Sequence, residues 1–276
     1  MDKIKYHPSI FAFQDSFKRL PFNPTYAKDF TDKIMGAKAA DHNEMSERDW
    51  FGDSYKNCLD ILERESWPEG VKRAKHLSSE IVLPKVKSVR RKRTRSDLGS
   101  EIDMARVYSS QLSTAWSDTT RESSAGKRQI TISASIGFNC ATSASAFFWR
   151  GATALKLVEL MTDAGYRVRV LGFSAARDVD YADRSKVFAD VIQLKAFNQR
   201  VNLTALAIPL CLPAFFRLKC FESRMKDPDI KDGSYSLGGT VKKLPEGFDA
   251  DIQIESIKSK DQAINFIQKQ LGKIGA

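Results

Sequence analysis

The chain has 276 residues, 42% of them hydrophobic and 28% charged, with 44 Lys and Arg against 34 Asp and Glu for a net charge of +10. This is the composition of an ordinary globular protein, long enough to bury a sizeable core. No apolar run reaches the roughly 18 residues of a membrane span, and Met1–Pro8 lacks the apolar stretch of a secretory signal. The expectation is therefore a cytoplasmic protein with no membrane partner.

Residues 1–80 read as a mainly helical region. Short helices are expected around Tyr26–Met35. Trp50-Phe51-Gly52-Asp53-Ser54 reads as a turn into a helix capped by Asp53 or Ser54, with Tyr55, Leu59 and Leu62 at helical spacing. Pro68 opens a second helix, whose apolar face carries Val71, Ala74 and Leu77. Residues 81–128 form an arm and linker. Ile81–Arg95 alternates around Val82, Val86 and Val89, which suits an extended strand. A helix is expected over Ile102–Thr114, and a Ser/Thr/Gly-rich loop over Ser117–Lys127.

Residues 129–276 read as an α/β domain. Gln129–Ile136 alternates as a strand. Phe147, Gly151, Ala154, Val158 and Met161 then mark one face of a long helix, widened by Phe148, Ala152 and Leu155. Gly165 closes that helix, and Tyr166–Phe173 is the next strand, so the pair is parallel with a right-handed crossover. Val187–Lys195 is a third strand. Asn202 or Thr204 caps a helix disturbed by Pro209 and Pro213. Ala250–Glu255 is a last strand, and Ser259–Gln262 opens a final helix with a capping box. The expected fold is a three-layer α/β sandwich with a mostly parallel sheet.

The charge is unevenly placed. Residues 1–80 hold 13 Lys/Arg against 14 Asp/Glu, residues 81–129 hold 11 against 5, and residues 130–276 hold 20 against 15. The middle excess sits in Lys85, Lys87, Arg90, Arg91, Lys92, Arg93 and Arg95, with no acidic residue between Glu80 and Asp97. Such a run repels itself, so folding does not explain it, and a solvated linker is the alternative to a polyanion-binding arm. Arginine forks onto phosphate oxygens. Arg106, Tyr108 and Trp116 follow closely, and the two aromatics can stack on unpaired bases. No helix-turn-helix, zinc-finger or RRM motif supports base-specific duplex readout.

Evidence for catalysis is thin. His7, His42 and His76 have no Cys or paired acid at ligand or catalytic spacing. Cys58, Cys140, Cys211 and Cys220 read as buried free thiols of a reducing compartment. Leu237–Lys243 sets glycines beside lysines, but a loop explains it better than a phosphate cradle. Ser135, Asn139, Thr142 and Ser143 fall at the carboxyl end of a strand, where ligands collect in open α/β sheets. They are either a polar ligand rim or caps of the following helix.

The order strand, long helix, strand, strand resembles a von Willebrand factor A domain over about half the chain. Trp50–Ser54, Trp67–Val71, Asp103–Tyr108 and Phe148–Ala152 also resemble a group of bacteriophage-encoded proteins with a helical start, an Arg-rich centre and an A-domain-like end. The likeness implies fold and phage origin, with the host cytoplasm as compartment. It departs at the metal site: the Asp-x-Ser-x-Ser of metal-binding A domains corresponds to Ser135-x-Gly137-x-Asn139, without the carboxylate that Mg²⁺ prefers. Asp178 and Asp180 could replace it only in principle, so no metal and no cofactor are expected. The functional expectation is a non-enzymatic binder of single-stranded DNA serving phage replication or transcription. The alternative is an adaptor for a phage or host protein, whose A-like domain grips one partner while the arm meets an acidic patch.

Overall fold

The computed structural model describes residues 3–21, 46–81, 91–98, 101–121, 128–138, 142–177, 187–227, 243–255 and 257–274. The expected helices at Tyr26–Met35, the glycine-lysine stretch up to Lys242, and Asp178 and Asp180 lie outside them.

The chain opens with β1 (Lys3–His7), where Lys3, Lys5 and His7 alternate with Ile4 and Tyr6. Ser9 caps α1 (Ile10–Lys18) by accepting from the Ala12 amide. Ser46 and Ser54 cap α2 (Glu47–Phe51) and α3 (Tyr55–Arg64) in the same way. Gly52 ends α2 in the left-handed region, and Pro68 opens α4 (Pro68–Glu80). A small module follows: β2 (Arg91–Ser96), β3 (Glu101–Ile102), α5 (Met104–Tyr108), a 3₁₀ turn at Leu112–Thr114, and β4 (Trp116–Arg121).

The module departs from two expectations. The single helix over Ile102–Thr114 is broken, because Ser110 takes a left-handed backbone and the Gln111 amide turns back to the Arg106 carbonyl. The first part of the expected loop at Ser117–Lys127 is instead strand β4, pairing Ser117 with Arg95 and Thr119 with Arg93. Extended pairing with β2 outweighs the turn-forming composition there.

The second half follows the sequence pattern closely. β5 (Gln129–Ser135) leads to α6 (Ala144–Asp163), which Ser143 caps through the Ala146 amide. α6 ends in a left-handed Gly165, whose neighbour Tyr166 donates back to Met161 O at 2.9 Å. β6 (Arg167–Arg177) and β7 (Val187–Lys195) come next. Asn202 caps α7 (Leu203–Cys211), which contains Pro209 and gives way to a π-helical turn (Phe215–Cys220) and α8 (Phe221–Met225). The axis bends by 67° between α7 and the segment Phe215–Met225. β8 (Ile252–Ile254) and α9 (Lys260–Ile274) complete the chain.

The main sheet runs β1-β7-β6-β5-β8, and the module forms a second sheet, β2-β4-β3. In the main sheet β5 is parallel to β6 and β8, and β1 is parallel to β7; only β6 and β7 are antiparallel. The fold is thus mixed α/β around a mostly parallel five-stranded sheet. Ile130, Ile132, Val168, Val170, Ile192, Ile252 and Ile254 point into the larger core, which α1 to α4 and α6 to α9 also fill. The described residues of the first 81 therefore share a core with those of the second half. The opposite face carries a smaller cluster of Leu171, Phe173, Ala175, Ala189 and Val191, covered by Leu244 and Phe248. Among the described residues no helix lies on that second face.

α6 is enclosed on nearly every side, with Phe147, Phe148, Gly151, Ala152, Ala154, Leu155, Val158 and Met161 all buried. Trp67 packs on Phe148 from α4, with ring centroids 5.5 Å apart. Among the described residues no single helix is long and apolar enough to cross a membrane, and the bent pair around Pro213 that passes by composition is largely buried.

Cys58, Cys211 and Cys220 are free and buried, and burial pushes each thiol up to about 12. An acid raised in the folded state favours folding while it is protonated in both states. Above the ordinary thiol value of 9.0 the unfolded chain alone can release these protons, so stability should fall as pH rises from there towards 12. These three thiols should resist Ellman's reagent in the native protein at pH 8 and react on unfolding. Rapid native labelling of any of them, read by peptide mapping, would contradict this burial.

Candidate nucleic-acid interface

The cationic arm is partly a strand. Arg91, Lys92, Arg93 and Arg95 lie in β2, in antiparallel register with β4 (Arg91 opposite Arg121, Arg95 opposite Ser117). Register positions 91, 93 and 95 fall on one face of this ribbon, since strand residues alternate between faces. Lys85, Lys87 and Arg90 lie outside the described residues. Arg95 is exposed.

The flanking residues separate into different roles. Tyr108, at the end of α5, is 82% exposed and so presents an open ring. Trp116 is half-buried at the start of β4, opposite both Ser96 and Ile102. Arg106 is engaged locally: it donates to Thr114 Oγ1 at 2.9 Å and Gln111 Oε1 at 3.1 Å, and it lies 3.5 Å from the Asp103 carboxylate. It fastens α5 to the 3₁₀ turn. Leu98, Ile102, Met104 and Leu112 are exposed on the same module, so a basic strand adjoins apolar surface.

The expected ligand rim also divides. Ser135 is buried, and its hydroxyl donates to Gly137 O at 2.8 Å, within the turn after β5. Ser143 is the cap of α6. Thr142 is half-buried and its carbonyl accepts from Arg217 Nη2 at 3.4 Å. Asn139 lies outside the described residues. Among the described residues no group of three or more His, Cys, Asp or Glu side chains is placed to hold a metal ion.

One family profile covers residues 17–276, nearly the whole chain. The chain belongs to the DUF7192 family, a domain of unknown function. No curated protein matches it, and no solved structure does either.

Two features of this DUF7192 chain were not anticipated from sequence. Arg150 and Arg217 are buried beside the turn that follows β5. Arg150 donates to Gly137 O at 3.1 Å and lies over the Phe147 ring at 4.7 Å. Arg217 donates to Trp50 O, lies 3.7 Å from the Trp50 ring centroid and 4.7 Å from that of Phe138. Their signal in the sequence was a cation inside an apolar run, Phe147–Ala152 and Ala214–Leu218. The second feature is a charge cluster between β1 and α8. His7 Nε2 is 3.0 Å from Asp190 Oδ1, Arg224 donates to Ser174 Oγ at 2.5 Å, and Asp227 receives Lys3 and Lys5 at 2.7 and 2.8 Å. His7 and Asp190 are 183 residues apart, so spacing in the chain carries no trace of their pairing.

Proposed function

We propose that this protein is a non-enzymatic binder of single-stranded nucleic acid, most simply DNA, whose contact surface is the β2-β4-β3 module and the basic residues leading into it. The observation that carries the reading is the coincidence of the cationic run with a two-stranded ribbon beside an open tyrosine. An extended basic ribbon can follow a phosphate backbone, while Tyr108 stacks on a base regardless of its identity. In the same reading the main sheet is A-domain-like without its metal. The parallel β5 and β6 joined through α6, with β7 directly beside β6, support it. A three-layer sandwich, phage origin, service in phage replication or transcription, and residence in the host cytoplasm belong to this proposal too.

Binding of a fluorescent single-stranded oligonucleotide, titrated with salt, tests it. Seven neutralised phosphates give a log–log slope of about −5, and changing Arg90, Arg91, Lys92, Arg93 and Arg95 to Ala should flatten it by about 3.5 units, at about 0.7 per contact. Tyr108→Ala should weaken binding by about 1–3 kcal/mol without altering the slope. Unchanged affinity and slope in the five-fold variant would exclude the arm as the contact surface.

A second reading is favoured by the exposed Leu98, Ile102, Met104 and Leu112. Several large apolar side chains exposed on one small charged module suit a protein partner. In that adaptor reading the arm meets an acidic patch, and oligonucleotide binding is absent or indifferent to the arm.

A further inference from the structure

We propose that the first turn of α6, backed by Arg150, is a binding site for a phosphate monoester or inorganic phosphate, independent of the basic arm. The turn lies at the carboxyl end of β5, which is flanked by the parallel strands β6 and β8. Ligands of open α/β sheets collect at such strand ends. α6 is 20 residues long, and the amides of its first turn, at Ala144 and Ser145, have no acceptors within the helix. Ser143 Oγ and Ser143 O already serve the next two amides, those of Ala146 and Phe147.

The second observation is Arg150 itself. It is only 7% exposed, and its Nη2 atom is buried without any hydrogen-bond partner. Its Nη1 donates to Gly137 O, so the guanidinium is directed at the strand-to-helix turn. An unsatisfied buried charged donor is costly, and native proteins rarely keep one without a use. Burial draws its pKa down to about 9, opposed by the nearby Cys211 thiol. The Arg217 guanidinium, bonded to the Thr142 carbonyl on the other side of the turn, adds a second positive charge.

A buried cation beside a helix N-terminus suits a compact dianion better than a metal or a neutral ligand. Ser145 is exposed and Thr142 and Ser143 are half-exposed, so the turn opens to solvent while Arg150 lies beneath it.

Calorimetric titration of the full-length protein with inorganic phosphate at constant ionic strength tests the site. Saturable binding of one phosphate per chain is expected. Arg150→Met should weaken it at least about tenfold, the scale of one charge-assisted contact. Ser145→Glu covers the case in which Arg150→Met fails to fold: a carboxylate in the first turn favours the helix yet repels the ligand. It should keep the native melting temperature and lose phosphate to the same degree. Changing Arg91, Arg93 and Arg95 to Ala should leave phosphate binding intact, which separates this site from the arm. Comparing a 5′-phosphorylated oligonucleotide with its 5′-hydroxyl twin, in that arm variant, tells a strand end from free phosphate as the source. No saturation by phosphate in the millimolar range, or wild-type binding by Ser145→Glu, would overturn the proposal.

Discussion

Replacing Gly151 by alanine is expected to lower the stability of the protein by about 3 kcal/mol, at the upper end of overpacking costs. The added Cβ would stand 2.3 Å from Cys211 Sγ and 2.5 Å from the Leu210 carbonyl oxygen. The sulfur can move, but the carbonyl belongs to the backbone of α7. Relief therefore requires α6 and α7 to part at the centre of the core, with loss of packing along both. Cys211→Ala added to Gly151→Ala should restore only part of the loss, because it leaves the Leu210 clash in place. Gly272→Ala is the control: its Cβ meets nothing within 4 Å, on the exposed face of α9. That change should raise stability by about 0.5–1 kcal/mol through helix propensity and unfolded-state entropy. Urea unfolding of the three variants against the wild type checks the set. A Gly151→Ala loss below that of an ordinary surface change would mean the helices approach less closely than described.

The contrast between these two glycines shows where sequence was legible. The periodicity that placed Phe147, Gly151, Ala154 and Val158 on one face was enough to find α6 and its parallel strands. Gly165, Asn202, Ser54 and Pro68 each carried a local rule that the backbone obeys. Local rules fail where long-range pairing decides. The five residues of β1 alternate as a strand should, yet they are too short to stand out, and only pairing with β7, 185 residues away in the chain, makes them one. Ser117–Arg121 looked like a loop by composition and is a strand because β2 lies beside it.

The candidate sites follow the same division. The arm was visible because a charge run needs no folding to be seen. Arg150 was not, because its meaning depends on what is missing around it once α6 is packed. A lone arginine in an apolar helix has many explanations, and only the absence of a partner at Nη2 selects among them.

The Asp190 carboxylate is the second position from which a large effect is expected. It projects from β7 towards the helices and lies 3.0 Å from His7 Nε2, both side chains being buried. Burial lowers the pKa of the nearby Arg224, and Asp190 and the Cys220 thiol are the groups that oppose the shift. Asp190→Ala would leave that guanidinium in the interior with Ser174 as its hydrogen-bond acceptor and would strip His7 of its partner. Removing the carboxylate near a buried cation costs up to about 3–5 kcal/mol, mostly the penalty of the charge left behind. Asp190→Asn should cost less, since the amide keeps a hydrogen bond to His7 while losing the charge. The decisive comparison is the double variant Asp190→Ala with Arg224→Met. Removing the stranded cation should recover part of the loss, so the two changes together should cost less than their sum. Additive losses in equilibrium unfolding would mean that Asp190 and Arg224 stabilise the β1–β7 edge separately rather than as one charge-balanced unit.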